Sequence, residues 1–448
     1  PHQKLAREIY KELIEINTAD SVGSVTKAAE AMAARFRAAG FPAADVQIVG
    51  PADKPAKQNL VVRYRGRNSR AKPLLLLAHL DVVAALRSDW TIEPFVLTER
   101  DGYFYGRGTS DDKAMAAIFV ANLLRDKQAG WVPDRDIVLA LTADEEGGDA
   151  NGVEWLVANR RDLIDAAYAI NEGGGGSLRD GKPLLNTVQA AEKVPVNFTL
   201  TATNRGGHSS VPRPDNAIYE LAQGLVKLSA YRFPVQLNEV SRAFFQSTAP
   251  LEVPNVGAAM RAIVANPNDS AAAATLSADP RYNSMLRTTC VATRLAGGHA
   301  YNALPQTASA NVNCRIVPTS TPEETRATLA RLLADTGIAI TETVPIREKS
   351  GAAPSPLTAE LMGPVTSITH TMFGASVPVI PVMSTGATDG RFLRAAGIPT
   401  YGVSGIFGDP ADVRAHGRDE RLLVKSFYDG QEFLQRLVHQ LAGGKTAA

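Results

Sequence analysis

Apolar positions follow two different spacings in the first 170 residues. Helical spacing, with apolar side chains three and four positions apart, occurs over 3–17, 25–39, 110–125 and 151–160. Short, continuous apolar runs occur over 58–64, 73–79, 136–142 and 166–170. Buried strands separated by helices are typical of a mostly parallel sheet flanked by helices, so this part of the chain predicts an α/β fold.

The pattern changes to strict alternation after Lys193. The stretches "KVPVNFTLTAT" and "ASANVNCRIV" alternate apolar with polar or small residues, which predicts strands with one open face. Arg315 falls on the open face of the second stretch. A helix with Thr321 as N-cap and Glu324 as capping-box partner is expected next, followed by the strand "GIAITETV". These elements predict a separate α+β domain over 194–348, in which residues 235–290 have no clear pattern.

The alternating α/β pattern resumes after a Pro/Gly/Ser-rich linker at 347–356. The runs "VPVIPVM" and "IPTYGVSG" then predict two further strands. The second domain is therefore expected to be inserted into the first. The resulting division is a discontinuous α/β domain over 1–193 and 349–448, with an inserted α+β domain over 194–348.

Composition and charge narrow the classes of partner. The 448 residues are 45% hydrophobic and 21% charged, which is typical of globular proteins. With 47 Lys and Arg against 46 Asp and Glu, no basic excess indicates a nucleic-acid partner. No apolar run is long enough to span a membrane, so no membrane partner is expected.

The two cysteines, Cys290 and Cys314, lack metal-site spacing and are expected to be separate core residues rather than a disulfide. The chain begins at Pro1 instead of Met, and a removed export signal is one explanation. We therefore expect a periplasmic or secreted protein, with a cytoplasmic protein as the alternative.

Histidine and carboxylate residues follow several of the predicted strands. They are His79, Glu145, Glu146, Glu172 and His416, and Asp111 opens a predicted helix after "GRGTS". The carboxyl ends of strands in an open parallel sheet meet at one edge, where such folds bind their ligands. These side chains are therefore expected to converge, and the carboxylates would repel one another without a cation among them. A divalent metal ion is the expected partner.

Mixed histidine and carboxylate ligands without cysteine suit a catalytic zinc. If only one of the neighbouring residues Glu145 and Glu146 is a ligand, five ligands remain. Five are too many for one open tetrahedral site, but they fit two metals that share one carboxylate. Asp81 lies two positions after His79 on the same side of a strand, so it can accept the second ring N–H of this histidine. Glu145 and Glu146 should point to opposite sides, which leaves one as ligand and the other as general base.

Each of these signals has an ordinary explanation when taken alone. A histidine after a strand, a "DEE" turn and a glycine-rich "NEGGGGS" loop are all common on protein surfaces. The combination favours a metal site. A non-catalytic, metal-dependent binding protein of the same fold is the alternative from a different class.

The motifs in their order resemble the dizinc aminoacylase and carboxypeptidase family of metallopeptidases. They are "AHLDVV", "GYFYGRGTSDDKAM", "TADEEGG", "INEGGG", "RGGHSSVP", "NALP", "STGATD" and "RAHGRDE". The resemblance implies a hydrolase that cleaves the amide bond of an N-acyl amino acid or short peptide with a free C-terminal carboxylate. The alternative reaction is condensation of a fatty acid with an amino acid by the same machinery.

The resemblance also implies roles for individual residues. Asp111 would bridge two zinc ions, with Co²⁺ or Mn²⁺ as substitutes, and would precede a cis peptide bond to Asp112. One zinc would be held by His79 and Glu172, and the other by Glu146 and His416. Glu145 would be the general base, and Asp81 would orient His79.

The resemblance further implies that the discontinuous domain is the catalytic domain and that the inserted domain is a lid or dimerisation domain, which would contribute the remaining groups. His208 would stabilise the oxyanion, in dimeric relatives from the partner subunit, and a homodimer through this domain is expected. The free carboxylate of the substrate would be held by Asn302, Arg315, Gly386, Ala387 and Thr388. The sequence departs from the common family pattern at Ala114, where glycine is frequent, and at Gly173, where proline is frequent.

Overall fold

The computed structural model describes residues 2–20, 22–68, 70–334, 337–343 and 352–446. The chain forms two compact units. The first comprises Pro1–Ala190, Ser355–Val382 and Thr388–Ala448, and the second comprises Ala191–Pro354 and Met383–Ala387. Each unit has its own sheet and core.

Helices and strands alternate through the N-terminal part of the first unit. They are α1 (His2–Glu15), α2 (Val25–Ala38), β1 (Val46–Val49), β2 (Asn59–Tyr64), β3 (Leu74–His79), β4 (Thr98–Arg100), β5 (Tyr103–Tyr105), α3 (Lys113–Gln128), β6 (Trp131–Val132), β7 (Ile137–Thr142), α4 (Gly152–Asn159), α5 (Arg161–Ile164), β8 (Tyr168–Asn171), β9 (Gly176–Arg179) and β10 (Lys182–Glu192).

The second unit contributes the next group of elements. They are β11 (Val194–Thr203), β12 (Gly207–His208), α6 (Ala217–Ala230), α7 (Glu239–Thr248), α8 (Pro254–Ala265), α9 (Ser270–Ser277), α10 (Pro280–Leu286), β13 (Thr289–Gly297), β14 (Ala303–Leu304), β15 (Thr307–Ile316), α11 (Pro322–Leu333) and β16 (Ile338–Glu342).

The C-terminal part of the chain completes the fold. Its elements are α12 (Ala359–Phe373), β17 (Val379–Ser384), α13 (Gly390–Ala395), β18 (Thr400–Gly402), β19 (Phe407–Gly408), β20 (Arg421–Leu423), α14 (Val424–Ala442) and β21 (Lys445–Thr446).

The main sheet of the first unit has the strand order β1-β2-β7-β3-β8-β18-β10-β9-β19. Its four central strands, β7, β3, β8 and β18, are parallel to their neighbours in this group. Every residue of β3 and β7 is buried, as the continuous apolar runs predict. Helix α3 packs against β3, and α4 and α5 contribute side chains to the core formed with β3 and β7. The predicted α/β fold with a mostly parallel sheet is confirmed.

The smaller sheet of the second unit is antiparallel, with the order β13-β15-β11-β16. Alternating residues of β11 and β15 are buried, and they form a core with α6 and α11. The capping box of Thr321 and Glu324 begins α11 as predicted. The stretch without a clear sequence pattern, 235–290, contains the four helices α7 to α10. Short helices with small apolar faces account for its weak periodicity.

The two cysteines form a disulfide, so the expectation of separate core residues is wrong. Cys290 on β13 faces Cys314 on β15 directly across the antiparallel pair, with the two Cα atoms 4.0 Å apart. Directly opposed residues have neighbouring side chains. The pairing depends on strand register, which cysteine spacing in the sequence does not reveal.

Two other expectations differ from the structure or lie beyond it. Helix α3 begins at Lys113 rather than at residue 110, because residues 110–112 belong to a loop with a cis peptide between Asp111 and Asp112. The predicted linker at 347–356 lies largely outside the described residues, and so does the predicted domain boundary at 348/349. These limits stay predictions.

The edge of the smaller sheet exposes apolar side chains. On β13, Val291 and Leu295 are 60% and 72% exposed. Leu295 is paired with the core residue Ala310, so it lies on the sheet face that carries α6. On α6, Ile218 and Val226 are also exposed.

Among the described residues, no helix has both the length and the apolar character needed to cross a bilayer.

Candidate metal centre

Three central strands bring their terminal residues to one edge of the main sheet. His79 is the last residue of β3 and is 2% exposed. Glu172 follows the last residue of β8, and Glu145 and Glu146 lie in the turn after β7. Because β7 and β8 both run parallel to β3, their carboxyl ends lie beside His79, as the sequence predicts.

Asp111 lies between two histidines that are distant in sequence. Its Oδ1 is 3.0 Å from Nε2 of His79, and its Oδ2 is 3.1 Å from Nε2 of His416. The two carboxylate oxygens are thus divided between the histidines, which is the arrangement of a carboxylate that bridges two ions. The cis peptide after Asp111 is the feature that the family resemblance implies.

The remaining candidate ligands fall on either side of Asp111. Glu172 Oε1 is 3.8 Å from His79 Nε2, and Glu146 Oε2 is 2.8 Å from His416 Nε2. One set of metal-ligating atoms that lie within 4.8 Å of one another comes from His79, Glu145 and Glu172. A second set comes from His79, Asp111 and Glu146. The five predicted ligands therefore meet at one place.

Asp81 holds the turn that carries the two glutamates. Its carboxylate accepts hydrogen bonds from the backbone N–H groups of Glu145 and Glu146, at 3.1 and 3.0 Å. The backbone carbonyl of Asp81 lies 3.0 Å from Nδ1 of His79, whereas the carboxylate Oδ1 is 3.6 Å away. The nearer acceptor for the ring N–H is thus the carbonyl, and the carboxylate mainly fixes the position of the neighbouring loop.

Burial and mutual repulsion raise the pKa values of the glutamates of the site. Burial is the largest cause of the rise in the pKa of Glu145 to about 9, and the charges of Asp389 and Glu146 add to it. Burial, followed by the charge of Asp111, raises the pKa of Glu146 to about 7. Burial also raises the pKa of Glu172 well above its usual range. Without cations, this pocket disfavours the ionised carboxylates.

The two histidines are shifted toward their protonated forms. A hydrogen bond with Asp111, assisted by the charge of Glu146, raises the pKa of His416 to about 9. Burial disfavours protonation of His79, but its bond to Asp111 and the surrounding carboxylates outweigh burial and raise its pKa well above the usual range. Burial acts to raise the pKa of Asp111, but the bonds from both histidines hold it well below its usual range.

The donor set fits two divalent cations. Histidine nitrogens and carboxylate oxygens are the ligands that catalytic metal ions take, and here carboxylates outnumber histidines. Asp112, next to Asp111, is buried, and its Oδ2 has no hydrogen-bond partner. Burial raises the pKa of Asp112 well above its usual range. Bound cations would offset this excess of buried acceptors.

Asp389, in the "STGATD" motif, is a site residue that sequence reasoning left without a role. It is 2% exposed, and its carboxylate accepts hydrogen bonds from Asn151 Nδ2 at 2.6 Å and Thr142 Oγ1 at 3.2 Å. It links the end of β7 to the start of α13 beneath Glu145. Two independent polar partners on a buried acid could not be read from the sequence, because they lie about 240 positions away.

The departure from the common family residue at position 173 has a backbone explanation. Gly173 follows Glu172 and has φ +99°, a conformation that proline cannot adopt. An added Cβ at this position would also collide with the side chain of Gln189. The chain therefore leaves β8 by a path that requires glycine.

The other predicted site residues belong mainly to the second unit. His208 on β12 is exposed, and its Nδ1 accepts hydrogen bonds from the backbone and hydroxyl of Ser210. Asn302 lies next to the strand pair β12–β14, and its carbonyl accepts from Ser209 N–H at 3.0 Å. Arg315 is on β15, with its Nε 3.3 Å from Asn313 Oδ1. Gly386 and Ala387 also belong to this unit.

Thr388 differs from these residues because it belongs to the first unit. Its hydroxyl accepts a hydrogen bond from Nδ2 of Asn171, the last residue of β8, at 3.2 Å. Thr388 therefore contacts the residue that precedes Glu172 in the chain.

Residues 75–440 match the model of the peptidase family M20/M25/M40. The chain belongs to this family. It is an enzyme that acts on C–N bonds, as the metallopeptidases and amidohydrolases of the family do. The resemblance drawn from the motifs is confirmed.

Individual relatives agree with this assignment. The chain is 28% identical over 384 residues to N-fatty-acyl-amino acid synthase/hydrolase PM20D1 of Homo sapiens. The aligned region covers 84% of this chain and 75% of that protein. The fold is similar to an M20 family metallo-carboxypeptidase from Sulfolobus solfataricus, with a TM-score of 0.70, 19% identity and coverage of 98% and 99%. It is also similar to the Bacillus subtilis YXEP protein, described as a dinuclear metal binding peptidase, with a TM-score of 0.61, 11% identity and coverage of 98% of each chain.

Zinc binding at pH 7 should release about one proton or more per chain. His416, with a pKa of about 9, is protonated at this pH, and Glu146, with a pKa of about 7, is about half protonated. Both must lose these protons to bind metal. Calorimetric titration with Zn²⁺ in buffers of different ionisation enthalpy measures the number released.

The His416→Ala variant should release fewer protons, whereas His370→Ala, on α12, should match the wild type. A binding enthalpy that does not depend on the buffer would contradict this expectation.

Proposed function

We propose that this enzyme hydrolyses N-acyl amino acids that carry a free carboxylate, at a site that holds two divalent metal ions. The observation that carries the proposal is the division of the two Asp111 oxygens between His79 and His416. Zinc is the proposed metal, with Co²⁺ or Mn²⁺ as substitutes. The description of the Bacillus subtilis neighbour as a dinuclear metal binding peptidase supports the number of ions.

The proposed ligands form two sets that share Asp111. His79 and Glu172 would hold one ion, and Glu146 and His416 would hold the other. When bound, the ions would polarise the scissile carbonyl and lower the pKa of the attacking water. The protein residues then have to position the substrate and move protons.

Glu145 is the proposed general base. It lies beside His79 and Glu172 but is not needed as a ligand in the proposed sets. The hydrogen bond from its backbone to Asp81 fixes its position relative to β3. Glu145 would take a proton from the attacking water and donate it to the leaving amine. Divalent ions nearby would favour its ionised form, against the burial that raises its pKa.

Residues of the second unit are proposed to bind the substrate. Arg315 lies on the open face of its sheet, where a guanidinium can pair with a carboxylate in a bidentate manner. Asn302 is proposed to assist it, together with the loop from Gly386 to Thr388. His208 is proposed to stabilise the oxyanion that forms during attack on the carbonyl.

A cavity of about 440 Å³ in the first unit supports an apolar acyl group. Asp111 and Glu172 line it, so it adjoins the metal ligands. Its other walls include Tyr103, Ile406, Phe407, Pro410, Val413 and Leu422. Val413 is 75% exposed, which an alkyl chain in the cavity would explain. We refer to this space as the acyl cavity.

The charged groups of the acyl cavity have partners within the protein. Asp412 accepts hydrogen bonds from Arg414 at 2.8 Å and from Arg421 at 2.9 Å. Asp409 accepts a hydrogen bond from the backbone N–H of Ala411. A dipeptide would bring a free ammonium group against these apolar walls, where Asp412 is already paired with two guanidinium groups. The cavity therefore favours an N-acyl over an N-aminoacyl substrate.

The experiment that tests the function compares three substrates with the same C-terminal residue. N-dodecanoyl-phenylalanine should be hydrolysed with the highest kcat/KM, and the dipeptide Ala-Phe and the C-terminal amide of the first substrate should each be at least about 10-fold poorer. Removal of metal with a chelator should abolish turnover, and added Zn²⁺ should restore it.

The Glu145→Gln variant is the control for background activity. It should bind metal as the wild type does but lose about 10²- to 10⁴-fold in kcat, since it has no carboxylate to accept the proton. Full activity after complete removal of metal would refute the proposal.

A second variant tests the acyl cavity. Val413→Asp should lower kcat/KM for N-dodecanoyl-phenylalanine by about 10-fold or more, because an alkyl chain would have to be buried against a carboxylate. Turnover of N-acetyl-phenylalanine, which has almost no chain, should change little. Val96→Asp, an exposed position outside this cavity, is the matched control, and equal losses with both acyl groups would count against the assignment.

Condensation of a fatty acid with an amino acid is a second candidate reaction at the same site. The human relative is named as both a synthase and a hydrolase. The same catalyst accelerates both directions of one equilibrium, so the net direction depends on the concentrations of the fatty acid, amino acid and product. The rate of condensation can be measured as the incorporation of labelled phenylalanine into N-acyl-phenylalanine at high fatty acid concentration. Incorporation no faster than in the absence of enzyme would count against the second candidate.

We also propose that two chains associate through the second unit. Strand β13 is an edge strand, and exposed edges of this kind pair readily with another strand. Val291 is paired with Asn313 and faces the open side of the sheet. Leu295 lies on the other side, where Ile218 of α6 approaches Gly297 of the same strand, and these two exposed residues offer an apolar surface on the edge of the unit. Antiparallel pairing of two β13 strands about a two-fold axis would cover it in both copies.

Leu295→Glu should convert the dimer to a monomer, because it would place two carboxylates in the paired surface. Light scattering after size-exclusion chromatography should give twice the chain mass for the wild type and the chain mass for the variant. Val253→Glu, at an apolar position of the same unit that is 59% exposed, should leave the dimer intact. A wild-type protein that is monomeric at high concentration would disprove the association.

A periplasmic or secreted location is proposed as well. The disulfide between Cys290 and Cys314 supports it, since such bonds persist mainly in oxidising compartments. Recovery of the protein only from a reducing cytoplasm, with both thiols free, would contradict the proposal.

A further inference from the structure

Arg107 and Glu420 form an ion pair that is almost fully buried. Nη1 of Arg107 lies 2.6 Å from Oε2 of Glu420, and their side chains are 3% and 0% exposed. Burial of two charges costs several kcal/mol per ion, so such a pair persists only where both groups have many partners. The partners of this pair lie in the two loops that carry Asp111 and His416.

Glu420 organises the loop that leads to Asp111. Its Oε1 accepts hydrogen bonds from the backbone N–H groups of Ser110 at 2.7 Å and Asp111 at 3.2 Å, and from the Ser110 hydroxyl at 2.9 Å. Its Oε2 accepts from the N–H of Gly108 at 3.1 Å, and its backbone carbonyl accepts from the N–H of Gly106. Residues 106–111 thus wrap around one carboxylate.

Arg107 organises the loop that carries His416. Its Nη2 donates hydrogen bonds to the carbonyls of Gly417 at 3.0 Å and His416 at 3.4 Å. The guanidinium also lies over the ring of Trp90, 5.1 Å from its centroid. His416 has φ +62°, an uncommon backbone conformation for a residue with a side chain. The bonds from Arg107 hold two successive carbonyls at this turn.

The pair therefore connects two segments that are about 300 positions apart and that each carry one proposed metal ligand. We propose that Arg107 and Glu420 are positioning residues that set the distance between Asp111 and His416. The inference rests on the proposed two-metal site. Neither side chain reaches the metal-ligating atoms directly. Both act through backbone groups of the ligands or of their neighbours.

The effect should differ between the two metal ions. The ion proposed to lie between His416 and Glu146 depends on both connected loops, through His416 and through the shared Asp111. The ion at His79 and Glu172 depends on them only through Asp111, because His79 and Glu172 are fixed at the ends of β3 and β8. Loss of the pair should therefore weaken the ion at His416 first.

Glu420→Gln is the most informative substitution because it preserves shape. The amide oxygen can still accept hydrogen bonds, but the amide nitrogen would face N–H donors where Glu420 now presents a carboxylate oxygen. The loop at 106–111 should loosen without a change in volume. Loss of an indirect partner of metal ligands typically lowers metal affinity by about 10- to 100-fold.

The experiment is competition for Zn²⁺ between the metal-free protein and a chromophoric chelator. The wild type should bind two ions per chain, and Glu420→Gln should bind the first with an affinity near that of the wild type and the second about 10- to 100-fold more weakly. The Co²⁺-loaded variant should show an altered visible spectrum for one of the two ions, which reports ligand geometry without any need for turnover.

Asp136→Asn is the matched control. Asp136 is also a buried carboxylate that accepts hydrogen bonds from a guanidinium, that of Arg63 at 2.8 Å, and from a backbone N–H, that of Gly66 at 2.7 Å. It lies before the first residue of β7, at the opposite end of this strand from the metal site. This variant should lose stability but keep two ions with wild-type affinity.

Arg107→Lys provides a second variant if Glu420→Gln does not fold. A lysine retains the charge but cannot contact Glu420 and both carbonyls at once, so it too should weaken one ion selectively. The inference would be overturned if the folded variants bound both ions with wild-type affinity. It would also be overturned if Asp136→Asn weakened one ion as much as Glu420→Gln does. A wild type that binds no divalent ion would instead refute the proposed function itself.

Discussion

Repulsion among carboxylates is the constraint on which the rest of this structure depends. A parallel sheet brings the ends of β3, β7 and β8 together, and the residues at these ends are acidic or are histidines. Burial makes the repulsion stronger, as the raised pKa values of Glu145, Glu146 and Glu172 indicate. The fold can hold such a group together only through rigid strands, surrounding hydrogen bonds and bound cations. The rigid strands and the surrounding hydrogen bonds are both present in the first unit.

The strands hold the centre of the group rigidly. His79 ends a strand in which every residue is buried, so its position is fixed by the core of the sheet. His416 lies in a loop, and its side chain is 54% exposed. The hydrogen-bonded pair of Arg107 and Glu420 replaces a strand as the support on this side. The two halves of the site are thus held by different means, one by packing and the other by buried polar contacts.

Much of the main sheet and the candidate ligands followed from local sequence patterns. Apolar runs located β2, β3, β7 and β8 to within about two residues, because fully buried strands leave a continuous signal. The rule that parallel strands end at one edge then brought His79, Glu145, Glu146 and Glu172 together. The strands were thus predicted from short apolar runs, and the candidate ligands from the strand ends and the family motifs.

Contacts between distant segments could not be predicted in this way. The disulfide depends on the register of β13 against β15, and the partners of Asp389 and Glu420 come from remote parts of the chain. The carboxylate of Asp81 was expected to orient His79, yet it mainly accepts hydrogen bonds from the loop after β7. Alternation along a strand shows which side a residue faces, but not which of several acceptors lies nearest.

The order of strands in the main sheet has a consequence for synthesis of the chain on the ribosome. Strand β18 lies between β8 and β10, although about 200 residues separate it from either in sequence. The central sheet therefore remains open while the greater part of the second unit is translated, and that unit can fold first. His416 emerges only after β18. The nascent chain therefore lacks part of the proposed set of metal ligands until the segment after β18 has been made.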